Sequence, residues 1–260
     1  MSSHCKLDAY LKELCLPTVR RCYGELARQA TAETLSYEQY LEEVLARESE
    51  HRGRERYERR RRESRLPHEK TLASFDLKRL PAKARAQTAA LLDGSFVDRR
   101  ENVLAFGTPG GGKTHLLCAL CHELLKQDRR VLYTTCSFLV QELLVAKRDW
   151  KLAALIKRLA RFEALLIDDL GYVQQSRAEM EVLFTLLAER YERGSVLLTS
   201  NLPFSKWEQI FKDPMTTAAA IDRLVHHSLI LELNVSSYRM DQAKQSQRKP
   251  GESDPPPTTD

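Results

Sequence analysis

The 260-residue sequence predicts an α/β fold, a parallel five-stranded sheet between helices preceded by a small helical N-terminal domain. Five short apolar runs, Asn102 to Phe106, Arg130 to Thr134, Ala164 to Asp168, Ser195 to Ser200 and Ser228 to Leu233, have the length and composition of strands. Helical stretches separate them, and strands joined through helices need right-handed crossovers and so form a parallel sheet covered on both faces. A glycine-rich segment lies between the first strand and the helix after it, and the first 66 residues carry helical signals alone.

Within those 66 residues Ser36 and Gln39 form a capping box, after which Tyr37, Tyr40, Leu41, Val44 and Leu45 repeat at helical spacing. That face is expected to pack on something. Beyond Leu45 the apolar stripe stops, while helix-compatible residues continue to Arg65 and leave a helix polar nearly all round. Between His51 and Arg65 there are eight arginines against three glutamates, which accounts for the whole formal charge of +5. Pro67 ends the element. The sequence thus divides into a helical domain at residues 1–66, an α/β domain at 67–241 and a polar tail at 242–260 with three consecutive prolines, expected to be disordered.

No run approaches the roughly 18 apolar residues of a membrane span. The start of the chain mixes Lys6, Asp8, Lys12 and Glu13 among its apolar residues and lacks the apolar core of a secretion signal, so a cytoplasmic protein without a membrane partner is expected. The six cysteines are read as reduced thiols. Cys118 and Cys121 form the one C-x-x-C, with no second pair at zinc spacing, and are read as buried helix positions.

Gly107, Thr108, Pro109, Gly110, Gly111, Gly112, Lys113 and Thr114 match the phosphate-binding pattern G-x-x-x-x-G-K-[ST], with an apolar strand before it and a helix after it. Glycines let backbone N–H groups converge on phosphate oxygens at the positive end of a helix. In this pattern Lys113 reaches the β- and γ-phosphates of ATP and Thr114 offers a hydroxyl to Mg2+. About fifty residues later an apolar strand ends in Asp168 and Asp169. A carboxylate at a buried strand end is costly unless paired or holding a cation, which makes Asp168 a metal-site candidate. Asp169 is then the candidate to orient and deprotonate water, against the alternative of a helix-capping aspartate before Gly171. Asn201 ends another strand and reaches the γ-phosphate region if the strands lie side by side.

Together these residues resemble the IstB-like AAA+ ATPases encoded by insertion sequences. The likeness runs from Arg99-Arg100-Glu101-Asn102 through the P-loop to Thr114-His115-Leu116, then Asp168-Asp169-Leu170-Gly171-Tyr172 and Leu198-Thr199-Ser200-Asn201-Leu202-Pro203. It continues to Asp222-Arg223-Leu224-Val225-His226-His227 and Ser237-Tyr238-Arg239. The resemblance implies an AAA+ fold, ATP with Mg2+, and a homo-oligomer with ATP at subunit interfaces. It places His115 and Arg239, the latter as a second sensor, among the nucleotide-binding residues. It also implies that Arg223 is an arginine finger delivered to the neighbouring subunit, whereas taken alone Arg223 reads equally as a surface salt bridge. Where many AAA+ proteins carry glutamate, Asp169 is shorter, which bears on hydrolysis rate more than on binding. Thr108 and Gly111 also depart from the family's usual proline and small residue. Both sites are expected to tolerate the change, the extra glycine loosening the loop. Adjacent histidines on a helix point about 100° apart, so His226 and His227 are read as surface or packing residues rather than metal ligands.

The arginine helix, with Arg59, Arg60, Arg61 and Arg62 at its centre, fits contact with the phosphates of double-stranded DNA. A second basic segment, Lys147, Arg148, Lys151, Lys157, Arg158 and Arg161, reads as a solvated face, the usual meaning of a charge run. The resemblance implies an ATP-dependent DNA-binding ATPase that assists a cognate transposase. A replicative helicase loader and a non-hydrolysing, nucleotide-switched DNA scaffold are the competing readings.

Overall fold

Three helices form the first unit of the computed structural model, α1 (Ser3–Glu13), α2 (Pro17–Ala32) and α3 (Tyr37–Ser64). The structure describes residues 3–171, 176–203, 206–207, 221–235 and 237, and the chain divides into units Met1–Arg61 and Arg62–Asp260. Leu11, Val19, Leu26 and Val44 make the small core of the first unit. The capping box at Ser36 forms as read: Gln39 N donates to Ser36 Oγ at 3.2 Å and Ser36 N to Gln39 Oε1 at 2.9 Å. The stripe behind it is only partly covered. Tyr40 and Val44 pack, but Tyr37, Leu41 and Leu45 are 94, 55 and 47% exposed, because four buried side chains cannot cover a stripe that wide.

Further along α3, Arg47 pairs with Glu43, Arg52 with Glu48 and Arg54 with Glu50, each one turn apart. Such pairs stabilise a polar helix by about 0.3 to 0.5 kcal/mol each, so its length has a local cause besides any ligand. α3 stops at Ser64 with Arg65 left-handed at φ 56°, two residues before Pro67.

Glu48 does more than pair with Arg52. Pro17 opens α2, Leu16 provides no side-chain cap, and buried Glu48 accepts instead from Thr18 N at 2.8 Å and Val19 N at 3.1 Å. Burial pushes its carboxyl up, but the Val19, Arg52 and Thr18 donors together outweigh it and hold the pKa below the usual value. A folded-state pKa below the unfolded one adds stability that is present above the ordinary carboxylate range and lost as pH falls through the folded value. Glu48→Ala is expected to destabilise this unit by about 2 kcal/mol at neutral pH. Urea unfolding followed by circular dichroism checks this: the gap between wild type and variant narrows in acid, and a gap independent of pH contradicts the assignment.

The second unit begins with α4 (Ala82–Leu91) and α5 (Ser95–Asp98), and continues as β1 (Asn102–Gly107), α6 (Lys113–Lys126), β2 (Val131–Thr135), α7 (Cys136–Arg148) and α8 (Leu152–Leu159). It closes with β3 (Ala164–Leu170), α9 (Arg177–Arg190), β4 (Ser195–Ser200), a helical segment at 221–225 and β5 (Ser228–Leu233). All five strands are parallel, in the order β2-β3-β4-β1-β5. β3 runs two residues beyond the expected end, β2 is displaced by one and β1 gains Gly107. Among the described residues no helix is long and apolar enough to cross a membrane. Cys118 and Cys121 are buried on α6; burial pushes the Cys118 thiol up to about 12 and Cys121 higher than usual, so both are inert thiols.

The strand order positions the site. β1 and β4 are neighbours, yet the chain leaves β1 toward β2 at one edge and leaves β4 toward β5 on the other side. Their following loops diverge, and that opens a crevice at the carboxyl ends of the strands, where ligands of open α/β sheets bind.

Candidate nucleotide-binding site

A cleft of about 570 Å3 lies at those strand ends, walled by the loop at 107–114, the ends of β2, β3 and β4, and the connector before α4. Gly107 has φ 148°, and a Cβ there would sit 2.2 Å from Leu233 O of β5, so glycine is required for the loop to leave the sheet. Gly111 is not a loosened joint. Its N–H donates to Thr108 O at 3.1 Å and a Cβ would meet Leu233 O at 2.9 Å, so the extra glycine is what fits a loop pressed against β5. Lys113 is only 5% exposed, and its ammonium donates to Gly107 O and Thr108 O at 2.9 Å and to Asn201 Oδ1 at 2.6 Å. The P-loop lysine and Asn201 are therefore neighbours, as side-by-side β1 and β4 demand. Burial lowers the Lys113 pKa, opposed by Asp169 and Asp168.

Asp168 is 3% exposed and accepts three hydroxyl hydrogen bonds. Thr114 Oγ1 donates to Oδ1 at 2.7 Å, Thr199 Oγ1 to Oδ1 at 2.6 Å and Tyr133 Oη to Oδ2 at 3.1 Å. Hydroxyls can turn their lone pairs toward a cation, so a buried carboxylate ringed by them fits a metal site. A β-bulge separates this aspartate from the next one. The β3–β4 register jumps between Ile167 and Leu170, leaving Asp168 and Asp169 opposite the single Thr199. Asp169 takes φ 60°, its N–H donates to Thr199 Oγ1 at 2.8 Å, and its side chain is exposed on the cleft wall. Among the described residues it caps no helix: β3 continues to Leu170, and α9 is capped by its own box of Ser176 and Glu179.

His115 stands on the cleft wall, with Nε2 3.1 Å from Thr71 O and 3.2 Å from Ser74 Oγ, and Phe75 packs edge-on to its ring at 5.1 Å. Burial, more than any neighbouring charge, lowers its pKa. It thus anchors the connector, and a Cβ on Gly112 would touch the Phe75 ring at 3.0 Å. Sequence reasoning missed Phe75, Tyr133 and Thr199. Polar residues closing otherwise apolar strands, Tyr133 to Thr135 and Thr199 to Asn201, were the available signal.

Arg223 is exposed and is not among the residues that wall the cleft. Its segment is held from behind: Leu224 is buried, and Asn102 Nδ2 donates to Leu224 O at 3.0 Å while its Oδ1 accepts from Val196 N at 2.8 Å. Among the described residues Arg223 forms no salt bridge. Arg239 and Tyr172 lie outside the described residues. His226 and His227 are in a turn after the segment at 221–225, so the helical spacing that would part them does not apply. Their rings are 4.1 Å apart, beside Glu192, and Tyr191 Oη lies 2.9 Å from His226 Nδ1; all three of His226, His227 and Glu192 are exposed. On α3, Arg59 and Arg62 are exposed and form no ion pair among the described residues, Arg61 lies 3.5 Å from Glu58, and Arg60 is half-buried.

A glycine loop between β1 and α6, a buried aspartate on β3 and an asparagine after β4, on this strand order, define a P-loop protein of the AAA+ class that binds ATP. Residues 9–246 match the family of IstB-like ATP binding proteins, and the chain belongs to it. A relative in Sinorhizobium fredii (strain NGR234), named as a candidate insertion-sequence ATP-binding protein, is 41% identical over 95% of this chain and 83% of its own. The corresponding IS21 protein of Pseudomonas aeruginosa is 34% identical over 93% of this chain and 91% of its own. Among solved structures DnaI matches with a TM-score of 0.55 at 22% identity, over 66% of this chain and 96% of that one. AMPPCP-bound DnaA from Aquifex aeolicus matches at 0.56 and 18% identity, over 72% and 57%. These last two likenesses concern the fold.

Proposed function

We propose that this chain hydrolyses ATP with Mg2+ as a homo-oligomer on double-stranded DNA and thereby assists the transposase of an insertion sequence. The observation that carries the chemistry is the meeting of Lys113, Asn201, Thr114 and Asp168 in one cleft. When bound, Mg2+ neutralises phosphate charge and aligns the reacting group; Thr114 and Asp168 are the residues to hold it. Lys113 and the loop N–H groups take the phosphate oxygens, Asn201 positions water, and Asp169 accepts its proton. Phe75 and Leu80 give the cleft an apolar wall suited to a purine. Arg223, exposed and unpaired among the described residues, serves a neighbouring subunit's ATP. The relatives named for insertion sequences favour this reading over a helicase loader, whose support is likeness of fold.

For DNA, Arg59 and Arg62 are exposed and form no ion pair among the described residues, which suits them to meet phosphates. Replacing both with Gln is expected to weaken binding equally for all sequences and to flatten the dependence of log affinity on log salt by about two, one for each phosphate no longer neutralised. Filter binding across a salt series reads this. Identical slopes for the two proteins would show that α3 is a solvated helix.

A further inference from the structure

The turn between α7 and α8 is built around a residue that neither stability nor solubility explains. Trp150 N donates to Lys147 O at 3.2 Å and Lys151 N to Ala146 O at 2.7 Å, the pair of bonds that closes a helix on a left-handed residue. That position ordinarily holds glycine; here it is Trp150, at φ 59°. Its side chain is 96% exposed, so the strain of a left-handed bulky residue is not repaid by burial. Cys15, Arg100 and Asp128 close helices in the same left-handed way, so what sets this turn apart is the fully exposed indole it carries rather than the backbone angle. Phe138 and Val145, seven residues apart and so on one face of α7, are exposed as well.

The surroundings select the partner. Lys147, Arg148 and Lys151 stand within three residues of Trp150 in the chain, with Asp149 as the one acid among them, and Lys157, Arg158 and Arg161 follow. Lys147, Arg148 and Arg158 pair with Glu181, Asp149 and Glu142 on the surface, where a phosphate can compete for them. Lys151, Lys157 and Arg161 form no ion pair among the described residues. An exposed aromatic set in basic residues matches a nucleic acid, whose bases offer faces to stack on and whose backbone offers charge. A protein partner would more usually meet a depleted charge around the aromatic.

We propose that this turn is a second DNA contact, in which Trp150 stacks on or wedges between bases while the neighbouring cations hold phosphates. It rests on the DNA-binding reading above and adds to it a residue that deforms DNA rather than following its backbone. The two hydrogen bonds fix the backbone, so on binding only the indole's own rotamer remains to be ordered.

The chain has two tryptophans, and Trp207 is fully buried, so acrylamide quenching of the full-length protein reports Trp150. Adding a mixed-sequence duplex with ATP is expected to quench the accessible emission and shield it from acrylamide. Trp150→Ala should lower duplex affinity about tenfold or more while leaving the salt slope unchanged, because every cation that meets a phosphate is still present. Trp150→Gly, which suits the left-handed turn, must behave like Ala, separating loss of the indole from loss of the turn. Unchanged affinity in both variants would show a solvated turn, and shielding that appears on self-association without DNA would make Trp150 a subunit contact; either result overturns the proposal. A wild type that binds no duplex at any salt overturns the parent reading as well, and is told apart because its emission never responds.

Discussion

Lys113→Ala is expected to bind ATP poorly and to turn it over at least about a hundredfold more slowly, with the fold intact. The ammonium is the buried cation facing Asp168 and Asp169, and those two carboxylates are what oppose the lowering of its pKa by burial. Without it Asp168 and Asp169 lose the buried cation beside them, and the cations left on the cleft wall are Lys70 and Arg79 of the connector before α4. Gly107 O, Thr108 O and Asn201 Oδ1 also lose their shared donor, which frees the asparagine that lines up with it. Titration with a fluorescent ATP analogue and a phosphate-release assay measure the two effects. Wild-type turnover in this variant would remove the cleft from consideration as the site of hydrolysis.

Arg223→Ala is expected to do something different, leaving ATP affinity near wild type while turnover falls about a thousandfold. The reason is placement. Arg223 does not wall its own chain's cleft, so truncating it takes nothing away from the nucleotide that chain holds. The segment that carries it is fixed by buried Leu224 and by Asn102, neither of which the substitution touches. An arginine that meets charge developing on a transferred phosphoryl group acts only in the transition state, which lowers kcat and spares binding. A parallel loss of affinity and turnover would assign Arg223 to the ground state or to the fold.

The parts of this structure legible in the sequence are those set by local chemistry. Apolar runs marked all five strands, and the glycine pattern, Asp168 and Asn201 stood at strand ends where a parallel sheet collects its ligand groups. Their alternation with helices did not give the order β2-β3-β4-β1-β5, which depends on crossovers that leave no local trace. The bulge at Asp168 and Asp169 was hidden for the same reason, since it exists only relative to β4. So were Tyr133 and Thr199, whose hydroxyls meet Asp168 across 35 and 31 residues of chain.

Periodicity also overreached. The spacing of Tyr37, Tyr40, Leu41, Val44 and Leu45 identified a helix face but not how much of it a four-residue core would cover. The angle of about 100° between His226 and His227 holds only on a helix, and the helical segment stops at residue 225. The same pattern leaves the arginine helix polar nearly all round, but apolar spacing takes no account of the glutamates four residues before Arg47, Arg52 and Arg54, which pair with them. Trp150 reads in sequence as one apolar residue inside a charge run; its left-handed backbone and its exposure are properties of the folded turn alone.

The most direct measurement is ATP hydrolysis on duplex DNA by mixtures of Lys113→Ala and Arg223→Ala, each inactive alone. A mixed oligomer brings an intact P-loop from one variant against an intact Arg223 from the other, so activity is predicted to return and to peak at intermediate ratios. Mixtures that co-assemble on DNA and stay inactive at every ratio would contradict an active site shared between subunits, as would a wild-type monomer that hydrolyses ATP at full rate at any dilution.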